Sequence, residues 1–169
     1  DVCLKFAAAC GTAKAPLSAV RPLHHAAAAL QPSPSHFTPL HAECLKACLL
    51  AKAYAAAVPL LEQELLHVDR EATLVTPRDL LLYHYYAGML QVGRKQFASA
   101  VTYFTLCVSA PTHVLNAIMV EAYKKLLLCS LVGAGEPPKL PKSLSPALAR
   151  PIKGQLHAYT ELSDAFAAG

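Results

Sequence analysis

Tryptophan is absent from this 169-residue sequence, and β-branched and charged residues are scarce. The chain contains eleven valines and two isoleucines, compared with 31 alanines and 28 leucines. Sheets are rich in β-branched and aromatic residues, whereas Ala and Leu favour helices, so the composition excludes a β-sandwich or barrel and predicts an all-α fold. Charged residues make up only 15% of the chain, which implies that much apolar surface is packed and excludes disorder.

Long apolar runs are missing as well. Lys46 and Lys52 interrupt the apolar stretch that begins at Ala42, and prolines follow Gly135. A membrane-spanning helix needs about 20 mostly apolar residues, so no membrane segment is predicted. The net charge of +4 is modest and does not suggest a nucleic-acid partner, which requires a dense basic stripe. Because the sequence starts at Asp1 rather than Met, we expect it to be an excerpt of a longer chain.

The cysteines form no Cys-x-x-Cys pair, and most of them lie within apolar helical runs. The simplest interpretation is a set of buried free thiols in a reducing compartment. The set consists of Cys3, Cys10, Cys44, Cys48, Cys107 and Cys129.

His41, Cys44 and Cys48 share one face of a predicted helix, where a zinc ion could be held. No further ligand and no supporting hydrogen bonds are identifiable, so core packing is favoured and no metal or other cofactor is predicted. A Cys-dependent enzyme is a weaker hypothesis, because a low-pKa thiolate needs a polar cleft and leucines crowd this segment. No catalytic residue is assigned.

Proline, glycine and serine divide the chain into seven predicted helices. Thr38-Pro39 and Thr76-Pro77 each place a capping hydroxyl before a proline that suits the first helical position. Gly93 and Gly133 are predicted to end helices in the left-handed conformation. The predicted helices span 13–30, 39–53, 54–66, 78–93, 94–109, 113–132 and 154–167.

A sequence repeat runs through these helices. Residues 13–20 realign with 51–58 at an offset of 38, and residues 54–61 realign with 97–104 at an offset of 43. Large, small and large residues recur at helical spacing, which lets neighbouring helices approach closely. The repeat predicts an array of tetratricopeptide-like helical hairpins, a right-handed solenoid over residues 1–169. Its approximate units are 1–37, 38–75, 76–112 and 113–169.

The helix predicted at 78–93 is apolar nearly all round, which indicates packing on at least two sides. We interpret its tyrosines as core residues rather than as a catalytic array. In the helix after His113, Glu121 is predicted to pair on the surface with Lys124 and Lys125.

Residues 137–160 contain four basic residues and no acidic residue. A solvated loop edge is one interpretation of this segment. The other is docking to an acidic partner surface, which makes the four residues a candidate interaction patch. They are Lys139, Lys142, Arg150 and Lys153.

Two segments carry a resemblance to a known family. They read Tyr83-His84-Tyr85-Tyr86-Ala87-Gly88-Met89 and Val120-Glu121-Ala122-Tyr123-Lys124-Lys125, and shorter points of likeness occur at 21–23, 31–33, 38–41 and 49–52. In these segments, and in their order, the chain resembles the family of subunit three of the COP-nine signalosome. Ala87 stands where that family usually has a second Gly.

The resemblance implies tetratricopeptide-like repeats followed by a PCI module that ends in a winged helix, of which we expect only the repeats here. It implies a non-catalytic scaffold that assembles with the other signalosome subunits in the nucleus and cytoplasm. It also implies that the complex removes the modifier Nedd8 from cullins of ubiquitin ligases, through a metalloprotease in another subunit. No small-molecule substrate is expected. A stand-alone peptide-binding adaptor of the tetratricopeptide type is the alternative hypothesis.

Overall fold

A computed structural model describes residues 2–110, 116–138 and 156–168. These residues are helical and contain no strand beyond an isolated parallel bridge between His36 and His67, which confirms the all-α prediction. The chain divides into two compact units, Asp1–Arg94 and Lys95–Gly169. The first unit contains α1 (Val2–Thr12), α2 (Leu17–Leu30), α3 (Pro39–Leu50), a 3₁₀ helix (Tyr54–Ala57), α4 (Val58–Leu61), α5 (Arg70–Thr73) and α6 (Pro77–Gly93). The second unit contains α7 (Phe97–Ser109), α8 (Ala117–Ala134) and α9 (His157–Ala168).

Capping boxes start α3 and α6 where the Thr-Pro pairs predicted them. At α6, the Thr76 N–H donates to Asp79 Oδ2 at 2.8 Å, and the Asp79 N–H donates to Thr76 Oγ1 at 3.3 Å. At α3, the Thr38 N–H donates to His41 Nδ1 at 3.0 Å. In both boxes the third helical residue reaches back to the capping residue, which satisfies donors that the helix itself leaves free.

The predicted helix at 54–66 is wrong. The chain there forms the 3₁₀ helix and the single turn α4, and helical structure stops at Leu61. Beyond this point the backbone bonds to a distant segment, because the N–H groups of Leu66 and His67 donate to Ser35 O. The Phe37 N–H donates to His67 O in return, at 2.8 Å. The predicted helices also omit α1, whose start carries no proline or capping threonine.

Five of the described helices are followed by a residue in the left-handed region: α1 by Lys14 (φ 56°), α3 by Lys52 (φ 52°), α5 by Leu74 (φ 55°), α6 by Lys95 (φ 60°) and α8 by Gly135 (φ 70°). The three lysines stand 38 and 43 residues apart, at the offsets of the sequence repeat. After α1, the Ala15 N–H donates to Cys10 O, and after α3 the Ala53 N–H donates to Cys48 O, each at 2.9 Å. These bonds close Schellman-type caps, so the repeated sequence marks a repeated helix end. The four predicted unit boundaries themselves stay predictions.

Gly93 and Gly133 were predicted in the left-handed conformation, and this is wrong for both. Each lies two residues before the left-handed residue, in the last turn of its helix. Both positions need glycine because an aromatic residue lies very close to each of them. A Cβ on Gly93 would lie 2.7 Å from Cδ1 and Cζ of Tyr54, and a Cβ on Gly133 would lie 2.7 Å from Cβ of Phe97. Tyr54 and Phe97 are equivalent positions of the repeat.

In the first unit α3 lies at the centre, packed against α1, α2 and α6. The ring of Phe37 meets the ring of Tyr83 edge-on at 5.2 Å, and the Tyr83 hydroxyl donates to Leu60 O at 3.5 Å. Tyr83 is therefore a core residue as predicted, whereas Tyr85 and Tyr86 are half-buried. In the second unit α8 packs against both α7 and α9. Its predicted surface pairs are confirmed, with Glu121 carboxylate oxygens 2.8 Å from Lys124 Nζ and 3.5 Å from Lys125 Nζ.

Candidate protein-interaction surface

The predicted basic patch lies outside the residues that the structure describes. Its docking role stays a prediction. The residues concerned are Lys139, Lys142, Arg150 and Lys153.

His41, Cys44 and Cys48 are fully buried in the centre of the first unit. The Thr38 N–H donates to His41 Nδ1, and burial lowers the pKa of the imidazole below its usual 6.5. The hydrogen bond with Cys48 and burial raise the pKa of the Cys44 thiol. Across the described residues, no group of three or more His, Cys, Asp or Glu side chains is placed to hold a metal ion. All three side chains project from α3 and are packed in the core of the first unit.

Burial disfavours the reactive, deprotonated form of two further thiols, Cys107 and Cys129. All six cysteines are free, and all except the partly exposed Cys3 are buried. Burial raises the pKa of Cys107 to about 12 and also raises the pKa of Cys129. A thiolate is the reactive form of cysteine, so these environments favour inert, structural thiols.

The first unit contains a cleft of about 790 Å³, which we call the apolar groove. Helix ends build it: the first turns of α1, α3 and α6 and the last turns of α2 and α5 meet there. Apolar side chains dominate its walls. It is bounded by Val2, Leu4, Leu30, Pro39, Leu74 and Arg78.

Three of these apolar side chains are exposed to solvent far beyond what core packing would leave. The exposed fractions are 80% for Val2, 61% for Leu30 and 78% for Leu74. Leu74 also adopts the left-handed conformation, with φ 55° and ψ 27°, as the residue that ends α5. A contiguous exposed apolar surface of this kind is typical of a protein-protein contact.

Sequence reasoning missed the apolar groove. Residues 67–77 lie between two predicted helices, although Asp69 is a good capping residue and its carboxylate accepts the N–H groups of Glu71 and Ala72 at 2.9 and 3.0 Å. That capping signal could have located α5. The groove itself could not be found in this way, because it depends on where five helix ends meet.

Another cleft of about 330 Å³ in the first unit is lined by both polar and apolar residues, among them His24, Gln31, His41 and Gln63. The Gln63 side-chain amide donates to Gln31 Oε1 at 3.3 Å and to Pro34 O. These bonds join the loop before α3 to the segment after α4. The cleft therefore belongs to the connection that replaces the predicted helix at 54–66.

In the second unit, a cleft of about 330 Å³ lies between the start of α7 and the end of α8. Phe97, Val101 and Gly133 contribute to its walls. Among the described helices, none is both long enough and apolar enough to cross a membrane.

The profile of one protein family, described as COP9 signalosome complex subunit 3, N-terminal helical repeats, matches residues 1–148. The chain is 39% identical over 152 residues to COP9 signalosome complex subunit 3 of Arabidopsis thaliana, covering 89% of this chain and 34% of that relative. It is 36% identical over 132 residues to the protein of the same name from Dictyostelium discoideum, covering 78% and 32%. The chain thus spans about a third of the length of these curated relatives.

Proposed function

Because this chain belongs to the family of the N-terminal helical repeats of COP9 signalosome complex subunit 3, we propose that it is a scaffolding part of a COP9 signalosome. The observation that carries the proposal is the profile match over residues 1–148, supported by 36% and 39% identity to two proteins of that name. The family likeness and the helical-repeat fold class expected from the sequence are both confirmed.

The proposed role is non-catalytic. The ionisable groups buried in the first unit serve the fold: His41 caps α3, and the Cys44 and Cys48 thiols pack inside it. The apolar groove presents exposed side chains of the kind that bind another protein. These features support a chain that holds partners in place.

The proposed partners are the other subunits of the signalosome, in the nucleus and the cytoplasm. In this proposal the complex removes Nedd8 from the cullins of ubiquitin ligases, and a metalloprotease in another subunit performs the hydrolysis. The repeats contribute by holding subunits at fixed distances. A held partner reacts at a high effective concentration, because it has already lost most of its translational freedom.

Reconstitution of the complex from purified subunits tests the proposal. We expect the full-length protein to co-purify with the other subunits in stoichiometric amount. Omitting it should lower the rate of Nedd8 removal from a cullin while the metal content of the protease subunit stays the same. Failure of the full-length protein to join the complex would contradict the assignment.

The alternative, a free-standing peptide-binding adaptor, requires accessible polar and basic side chains on the first helices of the hairpins. On α3 the Lys46 ammonium is already 3.1 Å from the Glu43 carboxylate, so its charge is partly neutralised. Titration of the isolated full-length protein with a peptide array separates the two functions. Micromolar binding of short peptides, with no incorporation into the signalosome, would favour the adaptor.

A further inference from the structure

We propose that the end of the first unit where α1, α3 and α6 finish docks an extended, acidic segment of another signalosome subunit. We call this surface the basic edge and define it by Lys14, Lys52 and Arg94. The inference rests on the proposed function, since the partner is taken from the same complex. It goes further by assigning a contact surface and the charge and spacing of the segment that binds there.

The basic edge exists because α1, α3 and α6 run in the same direction. The first turns of all three helices line the apolar groove, so their last turns share the opposite end of the unit. A cleft of about 380 Å³ at that end joins α1 to α3. Thr12 and Pro16, on either side of Lys14, line this cleft together with Leu50 at the end of α3.

The ends of α3 and α6 meet there as well. The ring of Tyr54, two residues after Lys52, packs against Gly93, which directly precedes Arg94. Since α3 lies at the centre of the unit, Lys52 occupies the middle of the edge. Packed helices lie about 8 to 10 Å apart, so the three basic residues form a row about 20 Å long.

No carboxylate neutralises the three charges of the basic edge. Lys14 and Lys52 are exposed and form no ion pair within the described residues. The Arg94 guanidinium donates to Gln91 Oε1 at 3.1 Å, and this amide is neutral. Helix C-termini contribute about half a negative charge each, which offsets three full positive charges only in part. The edge therefore stays positive.

The acidic side chains of the first unit lie away from this edge. Glu43 on α3 precedes Lys52 by nine residues and already pairs with Lys46 at 3.1 Å. Nine residues of helix span about 13 Å, which exceeds the screening length of about 8 Å at physiological salt. The other described acids flank Gln63, which bonds to the loop before α3, or belong to the starts of α5 and α6, helices that line the apolar groove. They are Glu62, Glu64, Asp69, Glu71 and Asp79.

Backbone strain is an independent argument. Lys14 and Lys52 are left-handed, with φ 56° and 52°, a conformation that glycine adopts at lower energy. Lys95 holds the equivalent position after α6, whereas α8 is followed by Gly135. The attraction of an exposed lysine to a helix C-terminus is smaller than this strain. Stability alone therefore does not account for lysine at the repeated position, and strain that persists in this way points to a function.

Charge and spacing select the partner. An extended segment rises about 3.3 Å per residue, so cations about 8 to 10 Å apart match acidic side chains at about every third residue. A nucleic acid requires a dense basic stripe, whereas this positive surface is limited to one edge of the unit. A second copy of this chain in a twofold dimer would place like charges opposite each other. An acidic segment of a different protein fits the edge best.

Binding of the full-length protein to the complex of the remaining signalosome subunits tests the proposal. The double variant Lys14→Gly/Lys52→Gly removes two charges and relieves both left-handed positions. We expect its Kd to rise about tenfold, chiefly through slower association, with a weaker dependence on salt. Its thermal unfolding midpoint should equal or exceed that of the wild type, because glycine relieves the strain. A loss of binding without a loss of stability separates docking from a structural role.

Lys14→Arg/Lys52→Arg is the matched control, because it keeps both charges at the same two positions. Arg70→Gln removes a charge from an exposed residue away from the edge. Both controls should bind like the wild type. Equal Kd values for the glycine variant and the wild type would overturn the proposal, and so would an equal loss for Arg70→Gln. If the wild-type protein itself does not join the complex, the proposed function fails instead, so the two failures are distinguishable.

Zero-length crosslinking with a carbodiimide identifies the occupant, because this reagent joins a lysine amine to a carboxylate in contact with it. The expected products join Lys14 and Lys52 to Asp or Glu residues about three positions apart in one segment of another subunit. Products that join these lysines to a second copy of the chain would contradict the proposal. So would double-stranded DNA or phosphatidylserine vesicles that bind the wild type but not the glycine variant, if both proteins assemble equally well.

Discussion

The two compact units use the same contact between equivalent repeat positions, but they build it differently. In the first unit the ring of Tyr54 covers Gly93, and in the second unit the Cβ of Phe97 covers Gly133. A ring can swing away from an intruding atom, whereas a Cβ moves only with its backbone. Two close contacts at equivalent positions can therefore differ in how much change they tolerate, even though the approach of Tyr54 to Gly93 is the closer of the two.

The units also differ in the histidines that they bury. The first unit buries His41 completely and largely encloses His84, whose pKa burial lowers to about 4. In the described part of the second unit, His157 is exposed and lies 3.2 Å from Glu161. The first unit should therefore respond to acid more strongly than the second.

Lowering the pH is the strongest way to test that difference. His41 and His84 bind protons less readily in the folded state than in the unfolded state, because burial disfavours the charged ring. The two histidines therefore leave the free energy of unfolding at its full value above about pH 6.5. As the pH drops from 6.5 toward 4, the free energy of unfolding falls, and the part due to His84 is at most about 3 kcal/mol. Hydrogen exchange at pH 7 and pH 4.5 should show a larger loss of protection in α3 and α6 than in α7 and α8. Equal losses would contradict the comparison.

Gly133→Ala and Gly93→Ala form the next test. Alanine gains about 1 kcal/mol of helix propensity at either site, but overpacking costs about 1 to 3 kcal/mol where the neighbour cannot move. We expect Gly133→Ala to lower the free energy of unfolding by about 1 to 2 kcal/mol in urea titrations. Gly93→Ala should stay within about 0.5 kcal/mol of the wild type, because the ring of Tyr54 can shift. The reverse order would show that the ring is the more rigid neighbour.

The left-handed residues allow a smaller, paired comparison. Gly135 ends α8 with φ 70°, whereas Lys52 follows α3 with φ 52°. Gly135→Ala should destabilise the protein by about 1 kcal/mol, and Lys52→Gly should stabilise it by up to about 1 kcal/mol. Thermal unfolding checks both signs. A loss of stability for Lys52→Gly would mean that contacts of the lysine side chain stabilise the protein by more than the relief of backbone strain does.

The surface ion pairs should show the smallest effect. Glu121 on α8 pairs with two lysines, and Glu43 on α3 pairs with Lys46 alone. Glu121→Gln should cost a few tenths of a kcal/mol (about 0.3 to 0.5), and Glu43→Gln should cost less. Both costs should disappear at 1 M salt, where exposed pairs are screened. A cost that persists in 1 M salt would assign the effect to packing instead.

The agreement between sequence and structure is best where neighbouring residues carry the signal. Thr38-Pro39 and Thr76-Pro77 located the starts of α3 and α6, because capping depends on residues within one turn. The repeat offsets matched the left-handed lysines, because helix ends recur with the sequence that forms them. The helix predicted at 54–66 is wrong, since the N–H groups of Leu66 and of the following His67 bond instead to Ser35 O, about thirty residues earlier.

The sequence by itself determined the helical class, two capped helix starts, the repeat spacing and the family likeness, since each depends on local order or on residue identity. Only the tertiary structure decided the roles of Gly93 and Gly133. Each position requires glycine because an aromatic residue some forty positions earlier in the sequence packs against it. It also decided the place of the apolar groove. Helix ends from residues 2 to 79 meet there, so the groove depends on packing between segments that local sequence does not bring together.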